Sequence, residues 1–207
     1  MSNQKLAVLV SSKGTGSNLR ALLDEGFSVN LVMADREDAP GIRIAKDYKV
    51  EIKVLPYARP DEISREDFRD QYSKRIANIL DEYKINVVVL AGFNRILTNP
   101  YFTTFSGLTI NIHPGAIPDD KNASYQFPDG TNAPWNRSMM TDEAVTNFLG
   151  LKHATSTIHK VTEEADFGPV LKRVFVDVKK DDTVDSLYKR LKKEEHQGLI
   201  EVLKSLV

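Results

Sequence analysis

Apolar positions in the first half of the chain follow two alternating patterns. Leu6 to Val10 is a continuous aliphatic run, Ser28 to Ala34 and Glu51 to Leu55 are similar short runs, and Ile85 to Ala91 places bulky side chains on both sides of an extended backbone. Strands apolar on both faces belong to buried parallel sheets. Between these runs the spacing turns helical, over Asn18 to Asp24, Gly41 to Tyr48 and Ser64 to Lys84. In the last of these, Ser64 and Asp67 form a capping pair, and Phe68, Tyr72, Ile76, Ile79, Leu80 and Tyr83 share one face. Repeated strand-helix-strand order with short connections predicts an α/β fold: a doubly wound, Rossmann-like, mostly parallel sheet flanked by helices. Such sheets bind ligands beyond the carboxyl ends of their strands. The polar turns Ser11 to Asn18, Gly92 to Arg95 and Asn111 to Gly115 are therefore expected to share one crevice.

The second half reads differently. A strand, Leu108 to His113, is followed by a stretch from Ala116 to about Ser138 that loses periodicity and collects Pro, Asp, Asn and Gly. A loop of that length inside a compact domain is expected to be functional or mobile. A short helix (Thr141 to Leu149) and two strands (Ala154 to Val161 and Val170 to Val178) come next. A terminal helix follows, Thr183 to Leu206, with Val184, Leu187, Leu191, Leu199, Ile200, Leu203 and Leu206 as its buried stripe. One domain over residues 1–207 is expected, with the loop at about 116–138 beside its site.

Charge narrows the partners. The 28 basic and 29 acidic residues nearly cancel, and the mixed run Lys189 to Glu195 reads as a solvated helix face. Neither a nucleic-acid partner nor a membrane is expected, since no apolar stretch approaches the roughly 20 residues a bilayer crossing needs. The absence of cysteine fits a reducing compartment, and the start of the chain runs straight into the first strand, so a cytoplasmic protein without a leader is the expectation. The sequence does not separate a monomer from a homodimer.

The candidate chemistry is polar, with no cysteine nucleophile, no Gly-x-Ser-x-Gly elbow and no metal-ligand spacing. Gly14-Thr15-Gly16-Ser17-Asn18 follows the first strand and opens a helix, which suits a single phosphate monoester better than a dinucleotide, because Leu19 stands where a third glycine would be. Alternation along Leu108 to His113 puts Asn111 and His113 on one face, and Pro114-Gly115 end the strand at its functional edge. Asp166 precedes Phe167-Gly168-Pro169, after a strand carrying His159. Trp135, the only tryptophan, lies in the long loop and reads as the residue that pins it. An amide, an imidazole and a carboxylate suit transfer of a one-carbon acyl group to an amine.

With these pieces in order, the chain resembles the glycinamide ribonucleotide formyltransferases, folate-dependent enzymes of purine synthesis. The resemblance rests on Gly14-Thr-Gly-Ser-Asn-Leu-Arg-Ala-Leu-Leu, Leu90-Ala-Gly-Phe-Asn-Arg-Ile-Leu-Thr, Asn111-Ile-His-Pro, Thr157-Ile-His159 leading to Asp166-Phe-Gly-Pro, and Lys193-Glu-Glu-His196. It implies the formyltransferase fold, 10-formyltetrahydrofolate as co-substrate without a metal, and glycinamide ribonucleotide as acceptor. By position it implies a phosphate cradle at Gly16, Ser17 and Asn18. It implies a folate-lining segment at Phe93, Asn94, Arg95, Ile96 and Leu97, which contacts the pterin through backbone and apolar groups. The catalytic trio becomes Asn111, His113 and Asp166, with His159 a second active-site histidine and Glu195 an acid that helps hold the ribonucleotide. The implied chemistry is attack of the amine on the formyl carbon, donation to the oxyanion by Asn111 and a protonated His113, and a water ordered by Asp166 that relays the proton to the folate nitrogen.

Several departures from the family pattern matter, the first being Ser11-Ser12-Lys13, which adds about two residues between the strand and the glycine turn. Asn94 replaces a usual methionine, and the loop after Pro114 is longer than usual by roughly fifteen residues and dissimilar. The alternatives within the same chemistry are another amine, such as an amino sugar nucleotide, or water, as in formyltetrahydrofolate hydrolase. A non-catalytic nucleotide-binding module is the alternative of another class.

Overall fold

The computed structural model describes residues 4–206. Seven strands are introduced in chain order: β1 (Leu6–Val10), β2 (Val29–Ala34), β3 (Ile52–Val54), β4 (Val87–Leu90), β5 (Leu108–His113), β6 (His153–Lys160) and β7 (Val170–Asp177). The helices are α1 (Ser17–Asp24), α2 (Pro40–Asp47), α3 (Arg65–Glu82), α4 (Asn99–Thr104), α5 (Thr141–Thr146) and α6 (Val184–Ser205). The sheet order is β3-β2-β1-β4-β5-β6-β7. β1 pairs in parallel with both β2 and β4, β2 pairs in parallel with β3, and β6 with β7 is antiparallel. The mostly parallel, doubly wound expectation is met.

The chain divides into two compact units, Met1–Ile110 and Asn111–Val207. In the first, every residue of β1 and β4 is buried, as their continuous apolar runs demand. Helix α3 buries Phe68, Tyr72, Ile76, Ile79 and Leu80, and the Ser64 hydroxyl accepts the Asp67 amide at 3.0 Å. Tyr83 caps the helix and is only half-buried. Helix α4 was not signalled by the pattern: it spans barely more than a turn and opens on Asn99-Pro100, too short for a periodicity to register.

In the second unit α6 packs on β6 and β7. Its buried stripe includes Leu187, Leu191, Leu199 and Leu203 as expected, and also Glu195, Gly198 and Val202, whereas Leu206 at the C-cap is exposed. The expected long loop is not open structure. Phe127, Ala133 and Ala116 form a small core with Val145, Phe148, Ala154 and Leu187, and Gln126 bridges Asn132 across a hairpin-like turn. The loop supplies its own apolar anchors, so its length is offset by burial.

The Ser64 hydroxyl also donates to Asp67 Oδ2 at 2.7 Å, so cap and carboxylate hold one another. Ser64→Ala should lower unfolding free energy by about 1 kcal/mol, Ser64→Thr should restore most of it, and urea titration of both variants measures the difference.

Candidate functional site

In the second unit, β5 ends at the Pro114-Gly115 turn, which leaves Asn111 and His113 on its last full turn of alternation. His113 is buried at 4 % exposure. Its Nδ1 lies 3.5 Å from Asp166 Oδ1 and its Nε2 lies 2.6 Å from the Trp135 carbonyl oxygen. Both ring nitrogens thus face acceptors, an arrangement that suits a ring carrying two protons. Burial raises the Asp166 carboxyl, but the hydrogen bond and charge of His113 and the Ser138 amide outweigh it and hold the group below its ordinary range. Ser138 N donates to Asp166 Oδ2 at 2.9 Å.

His159 takes the opposite state. It is 1 % exposed, and burial, followed by the proximity of His113, pushes its pKa down to about 4. Its Nδ1 lies 3.1 Å from the Lys160 carbonyl, which can only accept, so Nδ1 carries the proton and Nε2 is left as an acceptor. Asn111 Nδ2 sits 3.5 Å from that Nε2. One amide N–H of Asn111 is turned toward the ring, and the second remains for another acceptor. Asn111, His113, His159 and Asp166 therefore form a connected group.

In the first unit, Gly16 caps α1 with φ 76°, and a Cβ there would meet Ile44 Cδ1 at 2.6 Å. Both the left-handed backbone and the close approach of α2 exclude a side chain. The first turn of α1 carries no acidic residue, so no carboxylate offsets the positive end of the helix dipole there. Asn18 is buried, and its Oδ1 has no partner among the described residues. Thr15, Ser17 and Arg20 line a cleft of about 600 Å³ together with Arg43 and Lys46.

The folate-lining segment divides by side chain. Phe93 and Leu97 are packed inward, whereas Asn94, Arg95 and Ile96 line an opening of about 330 Å³ with Tyr57, Phe68, Arg59, Arg65 and Arg69. The expected apolar contact falls to Ile96, which is 53 % exposed. Of the polar turns expected together, those after β1 and β4 meet within this unit: Asn94 N donates to Ser11 Oγ at 3.2 Å. The sequence reading missed the residue that joins them. Asp35 is fully buried and accepts from Ser11 Oγ (3.1 Å), Ser12 N (3.2 Å) and Arg95 Nε (2.8 Å), while Arg95 also stacks on Tyr57. The available signal was an acidic residue directly after the apolar run of β2.

Glu195 departs from expectation. The mixed charge run reads as a solvated face, yet Glu195 is 1 % exposed, accepts from Ser156 Oγ at 2.6 Å and pairs with Lys192 Nζ at 3.0 Å. Both oxygens are engaged inside the unit, and the bond to Ser156 ties α6 to β6. The physical reason is burial: a carboxylate under a helix must find internal partners. Among the described residues, no group of three or more acidic or histidine side chains is arranged to hold a metal, and no helix is long and apolar enough to cross a membrane.

Comparison with known proteins agrees with this layout. A family profile described as "Formyl transferase" matches residues 4–203. The chain is 30% identical over 200 residues to the trifunctional purine biosynthetic protein adenosine-3 of Gallus gallus, which covers 94% of this chain and 17% of that protein; the chain thus spans about a sixth of that relative's length. It is 31% identical to the phosphoribosylglycinamide formyltransferase of Dictyostelium discoideum over 97% of both chains. Among solved structures, glycinamide ribonucleotide transformylase 1 from Symbiobacterium toebii superposes with a TM-score of 0.75 at 32% identity, over 96% of this chain and 85% of that one. A profile match across nearly the whole sequence, on this fold, makes the chain a member of the formyl transferase family.

Proposed function

We propose that the chain transfers the formyl group of 10-formyltetrahydrofolate to the amine of glycinamide ribonucleotide. The observation that carries the reading is the pairing of His113 with Asp166 beside an Asn111 amide turned by a neutral His159. Two imidazoles near one carboxylate meet different surroundings, His113 facing Asp166 and His159 held neutral by burial, the pattern that divides acid, base and electrostatic roles in a site. The relatives' names and the family profile, which runs across both units, support the reading and support treating the chain as one formyltransferase domain.

The amine lone pair attacks the formyl carbon, the carbonyl π pair moves to oxygen, and the developing oxyanion takes the free Asn111 N–H. His113, with its two N–H directions committed to Trp135 and Asp166, stabilises that charge as a nearby cation rather than as a direct donor. Asp166, held ionised, accepts the proton lost by the amine through one water, and the proton is delivered to the folate nitrogen as the carbon–nitrogen bond to folate breaks. The Gly16-Ser17-Asn18 turn binds the phosphate of the acceptor with backbone amides at the N-terminus of α1. Asn94, Arg95 and Ile96 border the folate, whose glutamyl carboxylates are complementary to Arg65 and Arg69. Those two guanidinium groups have no ion pair among the described residues. Glu195 supports β6 from behind and does not touch substrate.

Purified protein mixed with 10-formyltetrahydrofolate and glycinamide ribonucleotide should give the absorbance rise of the deformylated folate. No rise with an active folate stock, or a faster rise with a different amine run in parallel, overturns the choice of acceptor. Asn111→Ala should lower kcat on the order of a hundredfold or more and leave both KM values nearly unchanged. Turnover near that of the wild type at saturating substrates would falsify the donor role.

Stability should depend on His159 in acid. Its folded pKa of about 4 lies below the ordinary 6.5, so the unfolded chain binds the proton first as pH falls. The contribution is intact above pH 6.5 and is lost on descending to about 4, on the order of 3 kcal/mol. Urea titrations across that window should show a slope in the wild type that His159→Asn flattens.

A further inference from the structure

Five non-glycine residues with positive φ occur among the described residues, and two of them, Lys49 and Lys84, directly follow the C-caps of α2 and α3. The other three are Asn136 (φ 59°), Ser138 (φ 61°) and Asp166 (φ 51°). These three flank or face one residue, Trp135. Left-handed backbone at a residue with a side chain costs of order 1 kcal/mol each and persists where surrounding bonds over-determine it. The bonds are identifiable. Trp135 Nε1 donates to the Asp166 carbonyl at 2.8 Å, and its indole lies against the Phe167 ring with centroids 5.7 Å apart. Asn136 Nδ2 donates to the carbonyls of Pro114 (2.9 Å) and Ala144 (3.0 Å), and its Oδ1 accepts from Asn147 at 2.9 Å. Arg137 reaches the Ala165 carbonyl and pairs with Glu164.

The same short segment touches both members of the His113–Asp166 pair. The Trp135 carbonyl accepts from His113 Nε2 at 2.6 Å, and the Ser138 amide holds the Asp166 oxygen that His113 does not face. Gly115 makes room for this: a Cβ at that position would collide with the Trp135 carbonyl and stand 2.8 Å from His113 Nε2. The divergent loop therefore returns to β5 at the one point where a glycine admits it.

We propose that Trp135 is a positioning residue, which fixes the ring of His113 through its carbonyl and the backbone of Asp166 through its indole N–H, so that the pair is held ready for formyl transfer. The proposal rests on the formyl-transfer reading for its kinetic consequence, but its geometry is testable without it. Asn136, at the centre of the clasp, is buried.

Two variants and one spectrum test it. Trp135→Phe keeps a ring against Phe167 and removes the indole N–H; kcat should fall about tenfold with both KM values within about twofold. Gly115→Ala drives the Trp135 carbonyl from the ring, and kcat should fall about a hundredfold, the scale of a misplaced reacting group. In 15N-labelled wild-type protein the Nε2–H proton of His113 should appear far downfield and exchange slowly, as a 2.6 Å hydrogen bond requires, and it should be lost in Gly115→Ala. Variants that fold by circular dichroism and retain kcat within about twofold overturn the proposal, as does a wild-type spectrum without that resonance. If Gly115→Ala fails to fold, Trp135→Phe and the wild-type resonance decide. Resonance without formyl transfer overturns the functional reading and leaves the clasp standing; transfer without resonance overturns the clasp alone.

Discussion

Hydrogen-bond acceptors placed around two buried imidazoles set the chemistry of the second unit. His113 faces a carboxylate and a carbonyl, whereas His159 faces one carbonyl on Nδ1 and an amide donor on Nε2. A carbonyl can only accept, so it fixes which nitrogen keeps a proton, and the remaining nitrogen follows from what it meets. Burial drives the His159 ring to the neutral form. Asp166 retains its charge because the His113 ring and the Ser138 amide compensate its desolvation. From that asymmetry follows the division of labour: a neutral ring that turns the Asn111 amide, and a ring with two donors beside a carboxylate.

The backbone contributes as much as the side chains. Asp166 sits in a left-handed conformation just ahead of Gly168 and Pro169, and Asn136 and Ser138 share that conformation in the facing segment. Asn136 Nδ2 donates to the Pro114 and Ala144 carbonyls, Ser138 N donates to Asp166 Oδ2, and the Asp166 carbonyl accepts from Trp135 Nε1, while Phe127 and Ala133 of the same loop pack into a small core. A loop anchored in this way delivers a carbonyl to His113 and an amide to Asp166 at fixed points.

The first unit uses a parallel device. Asp35 is wholly buried after β2, and its oxygens gather the turn after β1 and the guanidinium of Arg95. A buried ion pair adds little net stability but fixes geometry. Here it sets the direction of Arg95 at the rim of an opening that also carries Arg65 and Arg69. Glu195 follows the same rule in the second unit, where a buried carboxylate is satisfied by Ser156 and Lys192 and so holds two elements together.

The sequence by itself determined the order of elements, the parallel character of the first unit and the identity of the polar residues at the end of β5, because side-chain periodicity reports burial directly and glycine or proline reports where a strand must end. The motif spacing also carried the family. It left undetermined the burial of Glu195 and Asp35, the inward turn of Phe93 and Leu97, and the short helix α4, since a local pattern does not reveal which charges an adjacent element will cover. The partners of the His113 and His159 ring nitrogens and the place of Trp135 came from tertiary structure alone. Those depend on acceptors supplied by residues distant in sequence, and a hydrogen bond is defined by where its partner sits rather than by which residues precede it in the chain.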